Sequence, residues 1–238
     1  ALVFPGQGSV DFKLINELLE FDSKRENLIR PLLNQADEIL NDKNFSLNIL
    51  NNDENSQQFF RRTSNAQPAI FLSSIIIDLF LKNYYHFNIA DAVDYFVGHS
   101  VGEYISLYFN QILDMENSLK LVQKRGKLME DIIKNQYDEN IEFKMYSLII
   151  NPKIFITVYK FLDHYQSNEQ VPINERIYIS NINSFAQIVI VGPSKLLPSF
   201  LNELRSNLKL SKSGFRPFEV PVTIPFHSPY LKNVDVEL

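Results

Sequence analysis

Apolar positions along this chain recur at two spacings, helical and alternating, and the balance between them changes near residue 140. Leu2, Val3 and Phe4 form a short apolar run stopped by Pro5-Gly6, which predicts a brief buried strand. Residues 11–60 are rich in Asn, Asp and Glu, with Ile29, Leu32, Leu33, Ala36, Ile39 and Leu40 at helical spacing. From Asn65, AQPAIFLSSIIIDLFLKN predicts a buried helix with Pro68 in its first turn, where the absent N–H goes unmissed. A strand over 93–97 is expected next, with Tyr95, Phe96 and Val97 as its buried end, then a helix over 101–109. A second helix starts near Met115 and carries Leu119, Leu121, Val122 and Leu128 on its apolar face. Polar residues 135–140 read as a linker.

Beyond that linker the pattern predicts strand 143–149, helix 152–165, strands 177–182 and 187–191, helix 194–207 and strand 215–222. That order is βαββαβ, the ferredoxin-like unit. The expected architecture is therefore α/β. A parallel-sheet subdomain would span 1–139 and 223–238, with a ferredoxin-like α+β subdomain inserted over 140–222. No internal repeat interrupts this reading.

The turn between strand 93–97 and the following helix changes the picture from fold to chemistry. Gly98-His99-Ser100-Val101-Gly102 is a Gly-x-Ser-x-Gly pattern between strand and helix, the signature of a nucleophile elbow and of a hydrolase-like sheet. The glycines relieve crowding so that a serine hydroxyl can stand exposed on a strained turn. Alone, so short a pattern also arises by chance. A serine needs a base, and His227 in VPVTIPFHSPYL lies on a loop stiffened by Pro225 and Pro229; a lone loop histidine is the plainer reading of that segment. A developing oxyanion needs donors: Val101 offers its N–H at a helix start, and Gln7 in PGQGS offers another, although PGQG alone is only a turn. Arg125 in KLVQKRGKLM is a solvated or paired helical charge unless it faces a cleft, where its planar fork suits a carboxylate. Gln67 either caps its helix or lines a site.

Composition excludes several alternatives. The chain has 238 residues, 45% of them hydrophobic and 21% charged, as in ordinary globular proteins. Without cysteine, disulfides, thiolate catalysis and Cys-ligated metals are ruled out. The four histidines (86, 99, 164 and 227) have no metal-ligand spacing, so no metal is expected. A net charge of −5 argues against nucleic acid as a general partner. The longest apolar run, around 70–81, is broken by Ser73, Ser74 and Asp78, so no membrane span is expected. The chain opens inside its first strand and closes without a helix cap, so a partial domain is expected.

FPGQGS (4–9), QPA (67–69), GHSVGEY (98–104), RGKLM (125–129), SNINSFAQIVIVG (180–192) and VPVTIPFHSPYL (220–231) occur in the order seen in acyl-CoA:carrier-protein transacylases. Over nearly its whole length the chain resembles the malonyl-selective members of that family. The resemblance implies Ser100 as the acylated nucleophile, His227 as its base, and the Gln7 and Val101 amides as the oxyanion hole. It implies Arg125 as the holder of a malonyl carboxylate, with Gln67, Met129 and Phe226 lining the pocket. Val101 and Phe226 match malonyl rather than methylmalonyl types. The implied substrates are malonyl-CoA and the phosphopantetheine thiol of acyl carrier protein, with no cofactor, no membrane and a monomeric state. A stand-alone enzyme of this kind would be cytoplasmic in bacteria and in the mitochondrial matrix in eukaryotes; the Asn/Ile-rich bias and the KMYSL variation favour the matrix, with the cytoplasm as alternative. The basic run Arg205, Lys209, Lys212 and Arg216 is a candidate carrier contact or simply a solvated helix end.

The chain departs from the family pattern at EFKMYSL (142–148), where a Gly-x-Met-Ala stretch is common, and at NSFAQ, which replaces NSPGQ. Only residues 228–238 follow His227, so the downstream carbonyl that orients the family's histidine is not among them. Two rivals stay open: a serine esterase or patatin-like lipase, and a non-catalytic docking module. The patatin-type Asp-Gly pair does not occur in the sequence.

Overall fold

In the computed structural model, which describes residues 1–7, 12–51, 53–211 and 213–238, the amino-terminal apolar run becomes β1 (Leu2–Phe4). It is followed by α1 (Phe12–Ser23), α2 (Ile29–Leu40), α3 (Phe45–Asn51), α4 (Glu54–Arg61), α5 (Thr63–Tyr84) and α6 (Ile89–Ala92). Next come β2 (Phe96–Gly98), α7 (Val101–Phe109) and α8 (Met115–Gln136). β1 and β2 pair in parallel, Leu2 opposite Phe96 and Phe4 opposite Gly98. Successive side chains alternate across the sheet, so Phe4 enters the helical core with Ile15, Ile70 and Ile105 while Val3 and Val97 face away. The expectation that Tyr95–Val97 is a buried strand end is thereby corrected. Tyr95 is 69% and Val97 45% exposed, because the helices of this sheet's core cover only the opposite face.

α5 is the central helix of this core. Ala69, Phe71, Leu72 and Ile76 are fully buried on it; the helix begins at Thr63, two residues before the expected Asn65, so Pro68 is its sixth residue and lies past the first turn where it was expected. Its 22 residues are long and apolar enough to cross a bilayer by length and composition, which corrects the expectation that no run reaches that length. Most of the helix is buried against its neighbours. α1, α3 and α4 stand out from the polar stretch that the sequence left undivided. Their order comes from local polar anchors: buried Asp22 accepts from Leu28 N (2.9 Å), Ile29 N (2.8 Å) and Tyr84 OH (2.7 Å), and Asp53 caps α4 by accepting from Ser56 N.

The second half builds β3 (Phe143–Ile150), α9 (Phe155–Gln166), β4 (Tyr178–Ser184), β5 (Gln187–Pro193), α10 (Leu197–Asn207), β6 (Phe215–Val220) and α11 (Val234–Glu237). Four antiparallel strands lie in the order β4-β5-β3-β6. Val158, Leu162, Phe200 and Leu204 of α9 and α10 pack against Leu148, Ile188 and Ile190. A ring cluster of Tyr137, Phe143, Tyr178 and Tyr230 forms in the same half, with centroids 4.5–5.6 Å apart. The NSFAQ departure is a two-residue hairpin turn, and the Phe185 ring meets Phe155 edge-on at 5.1 Å.

By contact density the chain divides into two units, Ala1–Leu128 with Leu238, and Met129–Glu237. Residues 129–139 and 223–237 thus group with the antiparallel sheet. Tyr137 and Tyr230, which flank residues 140–222, belong to its ring cluster.

Candidate active site

β2 ends at Gly98, and the chain turns through His99 and Ser100 into α7. Ser100 holds φ 56° and ψ −116°, a strained backbone that a β-carbon disfavours. Two glycines make the turn possible by close approach. A Cβ on Gly98 would lie 1.9 Å from the Gly102 carbonyl carbon, and one on Gly102 would lie 2.3 Å from the Phe4 carbonyl oxygen. Backbone bonds lock the arrangement: His99 N donates to Phe4 O (3.0 Å), Gly102 N to His99 O (2.9 Å) and Glu103 N to Ser100 O (3.1 Å). The predicted elbow is therefore present in its geometry, at the carboxyl ends of parallel strands, where α/β sheets place their ligands. Val101, fully buried, starts α7, so its N–H sits at the positive end of the helix.

Arg125 comes from α8 and is only 6% exposed. Its Nη2 donates to Ser100 Oγ at 3.4 Å, and its guanidinium carbon stands 5.2 Å from the centroid of the Tyr104 ring. Among the described residues no carboxylate lies within ion-pair distance of it. Burial pushes the guanidinium below its usual range, with Tyr104 and Glu103 acting in the opposite sense. Arginine nevertheless stays protonated in proteins. A buried cation without an anion is costly unless something supplies the missing charge. This burial excludes the solvated reading of Arg125.

Gln7 lies on the turn after β1, beside the elbow. A Cβ on neighbouring Gly6 would sit 2.8 Å from His99 Nδ1, so the His99 ring packs on the turn. Gln7 Nε2 donates to Thr63 Oγ1 at 3.4 Å, which ties the turn to the start of α5. Gln67, fully buried, stands one helical turn further along α5. Gly8 and Ser9 of FPGQGS lie outside the described residues, as does Lys212 of the basic run. In that run Arg205 is tethered rather than solvated: Nη2 donates to Phe215 O at 3.3 Å, and the guanidinium lies over the Phe215 ring.

The second unit carries His227, Phe226 and Met129. His227 is exposed at φ 53°, on the loop after β6. Buried Phe226 precedes it; Ser180 Oγ donates to Phe226 O (2.9 Å), and Ser228 Oγ donates to Pro225 O (2.6 Å). Met129, 5% exposed, lies on α8. The first unit thus brings Ser100, Val101 and Arg125 together, with Gln7 linked to Gln67's helix through Thr63. Sequence reasoning missed Thr63, Tyr104 and Gly126. The only available signal for the last was a glycine inside an otherwise regular helix.

The Acyl transferase domain profile matches residues 1–154. The chain is 30% identical over 234 residues to the mitochondrial malonyl CoA-acyl carrier protein transacylase of Schizosaccharomyces pombe, covering 97% of this chain and 67% of that one. It is 26% identical over 235 residues to the malonyl CoA-acyl carrier protein transacylase of Staphylococcus aureus (strain COL), covering 99% and 66%. The crystal structure of acyl-carrier-protein-S-malonyltransferase from Bartonella henselae superposes with a TM-score of 0.69 at 26% identity, over 98% of this chain and 66% of that one. The chain spans about two thirds of the length of these relatives. An elbow serine beside a buried arginine and a profile match over more than half the sequence lead to one assignment: the chain belongs to the acyl transferase domain family.

Proposed function

We propose that the chain transfers a malonyl group from malonyl-CoA to the phosphopantetheine thiol of an acyl carrier protein through a malonyl ester on Ser100. The observation that carries this reading is the buried Arg125 guanidinium, unmatched by any described carboxylate, 3.4 Å from the Ser100 hydroxyl. In a malonyl ester the free carboxylate is one methylene from the acyl carbonyl, within reach of a guanidinium this close to the ester oxygen. A neutral ester substrate would leave Arg125 without an anion. The names of the S. pombe and S. aureus relatives support the same donor and acceptor.

In the proposed first step Ser100 Oγ bonds to the thioester carbonyl carbon while His227 takes the hydroxyl proton. The Gln7 and Val101 amides hold the oxyanion. The C–S bond then breaks, and CoA leaves as the thiol with the proton from His227. The second step runs in reverse order, with the carrier thiol as nucleophile and Ser100 as leaving group. Gln67, Met129 and Phe226 line the acyl pocket in this reading, and no metal or redox cofactor enters the chemistry. We read the parallel-sheet part of the chain as hydrolase-like and residues 140–222 as a ferredoxin-like subdomain, for which the order β4-β5-β3-β6 speaks. A monomer in the mitochondrial matrix, with the cytoplasm as alternative, completes the proposal; the S. pombe relative is mitochondrial and the S. aureus relative bacterial.

Intact-mass measurement after mixing with malonyl-CoA tests the reading. Wild type gains a stable malonyl adduct that carrier protein removes, and Ser100→Ala gains none. Turnover without an adduct identifies an esterase, and an unmodified wild type identifies a docking module. Arg125→Ala should lose malonyl loading by roughly 10- to 150-fold, the worth of a charge-assisted bond of about 1.5–3 kcal/mol, while retaining acetyl loading.

A further inference from the structure

Gly126 follows Arg125 in the interior of α8, where glycine is a poor helix former and alanine the best. A Cβ built on it would stand 2.5 Å from Cα and 2.6 Å from N of Ser64, and 2.8 Å from the Thr63 carbonyl carbon. All three are backbone atoms at the start of α5, so no rotamer change could make room. The missing side chain therefore sets how deeply α8 seats against α5, and with it the depth of the Arg125 backbone. Tyr104, in the second turn of α7, presents its ring to the guanidinium at 5.2 Å and fixes the direction of the side chain.

We propose that Gly126 and Tyr104 are positioning residues that set the selectivity for a carboxylated over a neutral acyl group without needing to touch either. Charge-assisted bonds form at about 2.7–2.9 Å, so a guanidinium displaced by an ångström loses the carboxylate but not the serine chemistry. The inference rests on the reading of Arg125 as carboxylate clamp.

The test loads Ser100 of the full chain with malonyl-CoA and, separately, acetyl-CoA, and follows intact mass over concentration. Gly126→Ala should lower malonyl loading about 10- to 100-fold, mainly as a higher apparent KM, with acetyl loading within about threefold of wild type. Tyr104→Leu should shift the malonyl-to-acetyl ratio by roughly 3- to 30-fold, and Tyr104→Phe, which keeps the ring but loses the hydroxyl that also faces Arg125, should restore part of it. Gly192→Ala in the other unit, where a Cβ would meet Ile177 Cγ1 at 2.8 Å, controls for a crowded glycine that is merely structural. It should lower the melting temperature and leave the ratio alone. If Arg125→Ala moves the ratio but folded Gly126→Ala and Tyr104→Leu do not, the inference is overturned and the clamp stands. If Arg125→Ala leaves the ratio unmoved, clamp and inference both fall. Should Gly126→Ala fail to fold, the Tyr104 pair decides.

Discussion

Ser100 and His227 are both non-glycine residues held at positive φ, 56° and 53°, one in each unit, yet they are held by different means. The serine turn is gripped by backbone. Gly98 and Gly102 let β1, β2 and α7 approach until carbonyls and amides bond directly, with no space for a methyl group. The histidine turn adds side-chain tethers to short local backbone bonds: the Ser180 and Ser228 hydroxyls donate to the carbonyls of Phe226 and Pro225, beside Phe226 N donating to Ile224 O (2.9 Å). A turn made of interlocked backbone is unforgiving and fixed. A turn made of hydroxyls is adjustable, each tether worth about 1 kcal/mol.

Three substitutions test that contrast. The largest effect belongs to Gly102→Ala, whose methyl group would sit 2.3 Å from Phe4 O. Strain against backbone should cost more than about 4 kcal/mol of stability in chemical denaturation. A loss below about 1 kcal/mol would show that the elbow yields. His227→Ala comes next, slowing Ser100 acylation by roughly 10²- to 10⁴-fold through loss of a general base. It should leave the malonyl-to-acetyl ratio at its wild-type value, because selectivity is assigned to the serine side; a shifted ratio would break that division of labour. The smallest effect is that of Ser180→Ala, about 1 kcal/mol in the same denaturation assay. If it proved as damaging as Gly102→Ala, the two turns would be equally rigid and the contrast would fail.

Much of this is legible in the sequence. The elbow is written in five residues whose glycines announce a crowded turn, and the strand and helix order after residue 140 follows from periodicity alone. The helices α1, α3 and α4 were not legible as separate elements. Their apolar positions are few, and their ends are set by Asp22 and Asp53 bonding to amides that the sequence does not identify. Nor could periodicity tell that the β1–β2 sheet leaves Val3 and Val97 exposed, since a strand carries no mark of how many neighbours it has. Arg125 was legible as a residue type and illegible as a burial state. Its role was decided by the side chains around it, above all Tyr104 and Ser100. Gly126 was hidden for the same reason, because its meaning lies in the backbone of Ser64.

The strand order of the antiparallel sheet also bears on how fast that half of the chain assembles. β4 and β5 meet across a turn of two residues, Phe185 and Ala186, so their pairing is local and belongs to the microsecond class of hairpin formation. β3 must then add across the loop closed by Met145 and Val191, and β6 across the longer one closed by Met145 and Val220. The second loop is less than twice the first, so its extra closure entropy stays below about 0.6 kcal/mol. Such a small difference leaves the hairpin as the seed and lets the two flanking strands arrive together. In stopped-flow refolding, Ile188→Val in β5 should slow folding, whereas Phe215→Leu in β6 should chiefly speed unfolding. The reverse pattern would place the nucleus at β6.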